Sequence, residues 1–187
     1  MRPAAFLDRD GTLISDRGYI CSFKQVRIFP FAAEALRRLR EAGVVTVLVT
    51  NQSAVARGIC TQDQIESLHA RLRETLAGEL AFIDAVYWCP CHPRGRVPEF
   101  SRESDMRKPL PGMLLQAARD MDLDLSASLM VGDKPSDIAA GKAAGCTAAL
   151  VRTGYGAEAE KAGPWNPRPD MVADDLLEAV TRWLDSR

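Results

Sequence analysis

The sequence lacks an excess of charge of either sign and has no long apolar segment. In its 187 residues, 24 Lys and Arg residues stand against 25 Asp and Glu residues, so the formal net charge is -1. No basic tract stands out that would bind nucleic acid or a membrane surface, and any anionic ligand must be held by local charges. The longest apolar runs, such as Val44 to Val49 with Thr46 inside it, are far below the roughly 20 residues that cross a bilayer.

The start of the chain and the number of cysteines also exclude several classes of protein. Residues 1–5 lead directly towards Asp8, which leaves no room for the apolar segment and cleavage site of a signal peptide. The five cysteines are an odd number, and in a cytoplasmic chain they argue against a disulfide framework. We therefore expect a cytoplasmic protein whose cysteines are free thiols or metal ligands.

The pattern of apolar residues predicts one α/β domain that spans residues 1–187. Hydrophobic residues make up 47% of the chain, which suits a single core of ordinary size. Predicted strands cover residues 4–7, 44–49, 85–88, 128–131 and 147–151; predicted helices cover 31–42, 61–76, 111–121 and 138–144, with a last helix capped by Asp174. Residues 13–30 and 154–169 are predicted loops. This alternation implies a Rossmann-like parallel sheet with helices on both faces.

Polar residues follow the predicted strands in four separate segments. They are Asp8 and Asp10, residues Thr50 to Ser53, the pair Arg107 and Lys108, and Asp133 with Asp137. Because the loops beyond the carboxyl ends of parallel strands form the ligand crevice, we expect these four segments to meet at one edge of the sheet. A single Asp-x-Asp is more often a solvated turn, but that explanation does not account for four polar clusters together.

The residue types in these segments are complementary and indicate a magnesium-dependent phosphoryl-transfer site. The carboxylates of Asp8 and Asp133, with a backbone oxygen of Asp10, are hard oxygen ligands suited to Mg²⁺, and Asp137 would support them. Lys108 and the hydroxyl of Thr50 would hold the remaining phosphoryl oxygens, because phosphoryl transfer depends mainly on position and charge.

The order of the two acids in the first segment suggests their roles. Asp8 is the expected nucleophile, since a carboxylate can form an aspartyl-phosphate and divide a hard displacement into two easier steps. Asp10 would protonate the leaving alkoxide and then activate the water that hydrolyses the phospho-enzyme. The predicted catalytic set is therefore Asp8, Asp10, Thr50 and Lys108.

Four motifs of the chain resemble those of the haloacid dehalogenase (HAD) superfamily of phosphatases. They are Asp8-Arg9-Asp10-Gly11-Thr12, Thr50 after a strand, Lys108 before a helix, and Gly132-Asp133-Lys134-Pro135-Ser136-Asp137. The resemblance spans residues 4 to about 153 and agrees in motif content, order and spacing. It implies the same catalytic residues and the same magnesium ligands as the chemical interpretation of the residues.

Further segments are more similar to the D-glycero-D-manno-heptose 1,7-bisphosphate 7-phosphatases and, slightly more distantly, to the histidinol-phosphate phosphatases. These segments are residues 16–19, 50–58, 89–93 and 107–113. The resemblance implies a monomer without a large cap domain, acting on a small sugar phosphate, with specificity supplied by the loops 13–30 and 89–108. The implied substrate contacts are Asp16, Arg17, Gly18, Tyr19, Thr50, Asn51, Gln52, Ser53, Arg107 and Lys108.

The loop that begins at Cys89 departs from the pattern of these relatives. They commonly carry Cys-x-His and then Cys-x-Cys before the Arg-Lys pair, which together close a zinc site. Here Cys89, Cys91 and His92 remain, but the second half reads Ser104-Asp105-Met106 and offers poor zinc ligands. We therefore expect Mg²⁺ but no structural zinc, and a loop held by packing and turns that leaves Arg107 less firmly positioned.

Three alternatives stay open from the sequence. A histidinol-phosphate phosphatase would use the same catalytic residues on another substrate. A phosphoryl-accepting signalling domain would also have an acceptor Asp, a Thr or Ser and a Lys, but Asp10 supplies the base that such a long-lived phospho-aspartate must lack. A non-catalytic binding module organised by zinc is weakened by the incomplete set of ligands.

Overall fold

The computed structural model describes residues 1–187 and contains one six-stranded sheet and six α-helices. The strands are β1 (Ala4–Leu7), β2 (Val45–Asn51), β3 (Ala85–Cys89), β4 (Leu129–Gly132), β5 (Thr147–Val151) and β6 (Met171–Ala173). The helices are α1 (Ala32–Glu41), α2 (Gln62–Ala77), α3 (Gly112–Met121), α4 (Pro135–Ala144), α5 (Gly156–Ala162) and α6 (Leu176–Asp185).

The sheet is parallel throughout, with the strand order β3-β2-β1-β4-β5-β6. From β1 the chain moves outwards to β2 and β3, then returns to the other side of β1 and continues outwards from β4 to β6. The direction of winding therefore reverses between β1 and β4, and the crevice at such a point is where open α/β sheets bind ligands. The predicted α/β fold is confirmed.

Helices cover both faces of the sheet. Ala5 and Leu7 of β1 share an apolar cluster with residues of α1, α2 and α6, whereas Ala4 and Phe6 share one with residues of α3 and α4. Because successive side chains of a strand point to opposite faces, both faces of β1 are buried. This explains why its sequence is a continuous apolar run rather than an alternating one.

Most element boundaries agree with the sequence, and the N-terminal caps show why. Thr61 caps α2 as predicted: its hydroxyl accepts from the backbone N–H of Gln64 at 3.2 Å, and its own N–H donates to the Gln64 side chain at 2.9 Å. The predicted cap of the last helix was wrong by one residue. Asp175 accepts from the N–H of Glu178 at 2.9 Å, whereas Asp174 accepts from the guanidinium of Arg152.

The prediction of one long loop over residues 154–169 was wrong in its first half. Residues 156–162 form α5, and the three-residue strand β6 follows at 171–173. Both elements are too short to show a clear period, and their formation depends on neighbours that the local sequence does not reveal. The loop at 13–30 is confirmed as mainly irregular, with a single 3-10 turn at Phe23–Gln25 and an antiparallel bridge between Ile14 and Ile28.

The expectation that no cysteines pair was also wrong. Cys21 and Cys60 form a disulfide, while Cys89, Cys91 and Cys146 are free and buried. The bond joins two loops that lie 39 residues apart in sequence, and only the fold brings them together. None of the helices is both long enough and apolar enough to cross a membrane.

Candidate active site

Three carboxylates meet where β1 and β4 end. Asp8 directly follows β1, Asp133 directly follows β4, and Asp137 lies in the first turn of α4. One carboxylate oxygen from each lies within 4.8 Å of the others, and all three residues are buried. The predicted meeting of the first and last polar segments at one edge of the sheet is therefore present.

Asp133 has the environment of a metal ligand. Its Oδ2 accepts from the backbone N–H of Tyr155 at 2.8 Å, but its Oδ1 is buried without a hydrogen-bond partner. Burial and the neighbouring Asp8 carboxylate raise the pKa of Asp133 to about 7. A divalent cation would satisfy an unpartnered oxygen of a carboxylate that lies close to two others, so the residues present fit Mg²⁺.

Two glycines make room for the Asp133 carboxylate. A Cβ atom at Gly11 or Gly154 would collide with Asp133, and Gly11 also has a φ of +86°. Only glycine adopts this backbone conformation without steric cost. The turn that follows Asp10 therefore depends on Gly11 both for its shape and for the space beside Asp133.

Lys108 lies between two of the carboxylates and is 3% exposed. Its Nζ is 2.7 Å from an oxygen of Asp8 and 2.7 Å from one of Asp137, and it also donates to the carbonyl of Val49 at 2.8 Å. Burial alone would lower the pKa of Lys108, but the Asp137 and Asp8 carboxylates together hold it above its ordinary value. Lys108 is therefore a fixed positive charge beside the predicted nucleophile.

Asn51 fixes the backbone of Lys108. Its Oδ1 accepts from the N–H of Lys108 at 3.1 Å, and its Nδ2 donates to the carbonyl of Lys108 at 2.9 Å. The Asn51 side chain, predicted to contact substrate, thus also links the end of β2 to Lys108 in the segment that leads to α3. This link explains how a residue from a long loop reaches Asp8.

Asp10 and Thr50 are joined through Gln52. The Nε2 of Gln52 donates to Asp10 at 3.0 Å and to the Thr50 hydroxyl at 2.9 Å. Arg9 makes an ion pair with Asp10 at 2.9 Å. The Asp10 carboxylate is therefore held by two neighbours, Arg9 and Gln52.

Sequence reasoning missed Arg9, which is 1% exposed. Charged side chains usually lie in solvent, so the pattern gave no reason to expect a buried guanidinium. The one available signal was its position between two functional carboxylates at the end of a buried strand. His69 of α2 is also buried and contacts this guanidinium.

A cleft of about 250 Å³ opens beside Asp10 and collects many of the predicted substrate contacts. Its lining residues are Asp10, Asp16, Gly18, Tyr19, Asn51, Gln52, Ser53, Ala54, Lys134 and Tyr155. Lys134 and Tyr155 were not predicted. Lys134 reaches Asp16 at 2.9 Å, and its ammonium lies 5.0 Å from the Tyr155 ring centroid, so it links the loop 13–30 to the turn after β4.

Four predicted contacts lie outside the lining of this cleft, namely Arg17, Thr50, Arg107 and Lys108. Arg17 is exposed, and Arg107 donates to the carbonyl of Cys91 at 3.1 Å. The Arg107 guanidinium is therefore tied to its own loop, and the looser position proposed for it stays untested.

The cysteines of the predicted zinc remnant are part of the core. Cys89 and Cys91 lie in the apolar cluster under α3, and burial raises the pKa of the Cys89 thiol. The Nδ1 of His92 accepts from the backbone N–H of Arg94 at 3.1 Å. The absence of a structural zinc stays a prediction.

Known proteins share both the sequence and the fold. A family model described as HAD-hydrolase-like matches residues 105–179. The D-glycero-D-manno-heptose-1,7-bisphosphate 7-phosphatase of Thermosynechococcus vestitus is 45% identical, over 98% of this chain and 95% of that protein. The D-glycero-beta-D-manno-heptose-1,7-bisphosphate 7-phosphatase of Yersinia pestis is 47% identical, over 87% of this chain and 88% of that protein.

A solved structure agrees with these relatives. The crystal structure of D,D-heptose 1,7-bisphosphate phosphatase from B. bronchiseptica, complexed with magnesium and phosphate, superposes with a TM-score of 0.88 at 32% sequence identity. The match covers 100% of both chains. Identity along nearly the whole chain, the shared fold and the acidic site together show that this phosphoric monoester hydrolase belongs to the HAD superfamily and, within it, to the D-glycero-D-manno-heptose 1,7-bisphosphate 7-phosphatase family.

Proposed function

We propose that the protein removes the 7-phosphate of a D-glycero-D-manno-heptose 1,7-bisphosphate through a phospho-Asp8 intermediate, with Mg²⁺ as cofactor. The observation that carries the chemistry is the contact of Lys108 with Asp8, beside the unpartnered oxygen of Asp133. A nucleophile with a fixed cation on one side and a cation site on the other suits an incoming phosphate dianion. The substrate is inferred from the names of the relatives.

The residues would divide the reaction between them as follows. A carboxylate oxygen of Asp8 attacks the phosphorus, and the bond from phosphorus to the sugar oxygen breaks. Asp10 gives its proton to the departing alkoxide and then takes a proton from the water that attacks phospho-Asp8. The second attack releases inorganic phosphate and restores the Asp8 carboxylate, while Lys108 and the Thr50 hydroxyl hold phosphoryl oxygens.

The magnesium ion would be held by the carboxylates of Asp8 and Asp133 and by the backbone carbonyl of Asp10. Asp137 is better suited to support than to ligation, because Lys108 occupies its Oδ1 and the N–H of Lys134 donates to its Oδ2 at 3.0 Å. When bound, Mg²⁺ neutralises charge on the phosphoryl group and orients it. We expect activity to disappear with a chelator and to return when Mg²⁺ is added.

The test is phosphate release in the presence of Mg²⁺ from both anomers of the heptose bisphosphate, histidinol phosphate and simple sugar phosphates. We expect kcat/KM for one heptose bisphosphate anomer to exceed every other by at least about tenfold, or about 1.4 kcal/mol of transition-state discrimination. Phosphorus NMR of the product should show that the phosphate at carbon 1 remains. Removal of that phosphate, or a preference for histidinol phosphate, would contradict the proposed substrate.

Asp8→Asn and Asp133→Asn are the controls for the site. Both should abolish turnover on every substrate in the panel, because each removes a magnesium ligand and the first also removes the nucleophile. Near-normal activity of Asp8→Asn would contradict the mechanism whatever the preferred substrate. The cytoplasmic location, monomeric state and single-domain organisation stay predictions.

A further inference from the structure

A continuous network of hydrogen bonds leads from α2 to Asp10. The guanidinium of Arg9 donates through Nε to Asp10 Oδ2 at 3.1 Å and through Nη2 to Asp10 Oδ1 at 3.0 Å. Its Nη2 also donates to the Oε1 of Gln52 at 3.0 Å, and its Nη1 lies 3.1 Å from the Nε2 of His69. A planar guanidinium with its N–H groups engaged in three directions has little freedom to rotate.

His69 must be the acceptor in its contact with Arg9. A guanidinium has only donors, so Nε2 carries the lone pair and Nδ1 carries the proton of the neutral ring. Burial, with a smaller contribution from the Arg9 charge, lowers the pKa of His69 to about 3, which keeps the ring neutral. The ring also meets Trp88 edge-on, with centroids 6.1 Å apart, so its own position is set by packing.

Gln52 closes the network from the other side. Because its Oε1 accepts from Arg9, its Nε2 must face Asp10 and Thr50, to which it donates. Asp10 thus receives hydrogen bonds from Arg9 and Gln52, while Arg9 is braced by His69. The side chain of Asp10 is 14% exposed and is followed by a glycine turn, so without these donors its carboxylate would be free to reorient towards water.

We infer that Arg9, braced by His69, is a positioning residue that holds the Asp10 carboxylate in the orientation needed for proton transfer. This inference rests on the phospho-Asp8 mechanism proposed above but not on the identity of the sugar. The Arg9 guanidinium makes its hydrogen bonds with Asp10, Gln52 and His69 and none with Asp8 or Lys108, so its removal should affect Asp10 more than phosphate binding. Misplacement of a catalytic group by about 1 Å can cost on the order of 10²-fold in rate.

The test uses p-nitrophenyl phosphate and Mg²⁺ with the variants Arg9→Met, Arg9→Lys, His69→Leu and His69→Gln. Nitrophenolate leaves without needing a proton, so phosphorylation of Asp8 depends little on Asp10, whereas hydrolysis of phospho-Asp8 still needs its base. Rapid quenching with acid and ³²P-labelled substrate measures the fraction of enzyme that is phosphorylated. Asp10→Asn is the reference for trapping, and Arg119→Met on the exposed side of α3 is the control for loss of an arginine.

Arg9→Met should lower kcat by about 10²-fold and lower KM with it, so that kcat/KM changes little, because hydrolysis of phospho-Asp8 becomes rate-limiting; the phosphorylated fraction should rise as it does in Asp10→Asn. Arg9→Lys should recover part of kcat because it keeps one donor. His69→Gln should retain most of kcat, since an amide oxygen can still accept from Arg9, while His69→Leu should lose activity and accumulate phospho-enzyme. Circular dichroism melts establish that each variant is folded under the assay conditions.

Folded Arg9→Met and His69→Leu proteins with wild-type kcat and no trapped label would overturn the positioning role. Equal loss of activity in His69→Leu and His69→Gln would do the same, because it would show that the accepting atom is irrelevant. If Arg9→Met fails to fold, the comparison of the two His69 variants decides the question. No acid-precipitated label in Asp10→Asn would overturn the phospho-Asp8 mechanism itself, and this role with it.

Discussion

At the scale of single residues, the site is built from buried charges that compensate one another. Lys108 contacts Asp8 and Asp137, and Arg9 contacts Asp10, so two cations are distributed among the carboxylates. Removing one member of such a set leaves a buried charge without a partner, which costs far more than the loss of an exposed ion pair. The same contacts that arrange the chemistry therefore also determine how the protein responds to acid.

His69 should make the protein sensitive to mild acid. Its pKa in the folded chain is lowered to about 3 by burial and by Arg9, whereas the unfolded chain has the ordinary value of 6.5. The stability linked to the neutral ring is fully present above pH 6.5 and is lost progressively as the pH falls towards 3, since only the unfolded chain takes up the proton. Between pH 7.5 and 5.0 the loss from this residue is about 2 kcal/mol.

Urea unfolding of wild type and His69→Gln at pH 7.5 and 5.0 measures this effect. The stability difference between the two proteins should shrink by about 2 kcal/mol at the lower pH, because the variant has no group that titrates there. His92→Gln is the matched control, since His92 is only partly buried and its contribution should be smaller. A difference that stays constant with pH would contradict the neutral, buried state of His69.

The sequence predicted the site residues whose types and spacing belong to a motif, but not the residues that hold them in place. Asp8, Asp133 and Lys108 come together as expected because each follows or approaches the end of a strand at the same edge. Arg9 could not be identified, since burial of a guanidinium depends on a hydrogen-bonding partner, His69, that is 60 residues away.

At the scale of elements, the turn after β1 is the most constrained part of the site. Gly11 and Gly145 have nearly the same backbone conformation, with φ of +86° and +88°. A Cβ atom at Gly11 would collide with the Asp133 carboxylate, whereas one at Gly145, which ends α4, would meet nothing within 4 Å. An alanine at either position strains the backbone, but only an alanine at residue 11 also enters the space occupied by Asp133. Comparing the two substitutions therefore distinguishes the two effects.

Gly11→Ala and Gly145→Ala should consequently differ in activity. Each should lose about 1 to 2 kcal/mol of stability, because an alanine is strained at positive φ. Only Gly11→Ala should also lose activity, by at least about 10²-fold in kcat, because its methyl group displaces Asp133. Steady-state kinetics and thermal melts of the two proteins provide the comparison. Equal kcat values for the two variants would show that catalysis does not require the free space beside Asp133.

Helices and strands were predicted correctly where the local sequence determines their formation. They were missed where formation depends on neighbouring elements of the fold. The Thr61 cap and the continuous apolar strands are local signals, and they are confirmed. The short elements α5 and β6 gave no such signal. β6 is three residues long and forms because β5 offers an edge to pair with, which is a property of the assembled sheet.

At the scale of the whole molecule, the Cys21–Cys60 bond ties the loop over the site to the turn before α2. Closing a loop of this size restricts the unfolded chain and stabilises the folded one by about 2 to 4 kcal/mol in the chain-entropy description. For a chain of this length, that corresponds to a change in Tm of roughly 4 to 16 °C. Neither the pairing nor its effect could be read from the number of cysteines.

Thermal melts with and without dithiothreitol measure this contribution. The reductant should lower the Tm of the wild-type protein by roughly 4 to 16 °C. The double variant Cys21→Ser, Cys60→Ser should already melt at the lower temperature and should not respond to the reductant. Cys89, Cys91 and Cys146 are free, so a response of the double variant would show that a bond other than Cys21–Cys60 is involved.

The central position of β1 in the sheet has a consequence for folding during translation. A ribosome makes β1 and its attached Asp8 first, and β2 can pair with it early. The other neighbour, β4, starts at residue 129, so both flanks of β1 are covered only after β2, β3 and the helices between them have been translated. Asp8 is thus synthesised early, but the strand that carries it gains its second neighbour late. A nascent chain stopped before β4 exposes an unpaired strand edge that is prone to aggregation.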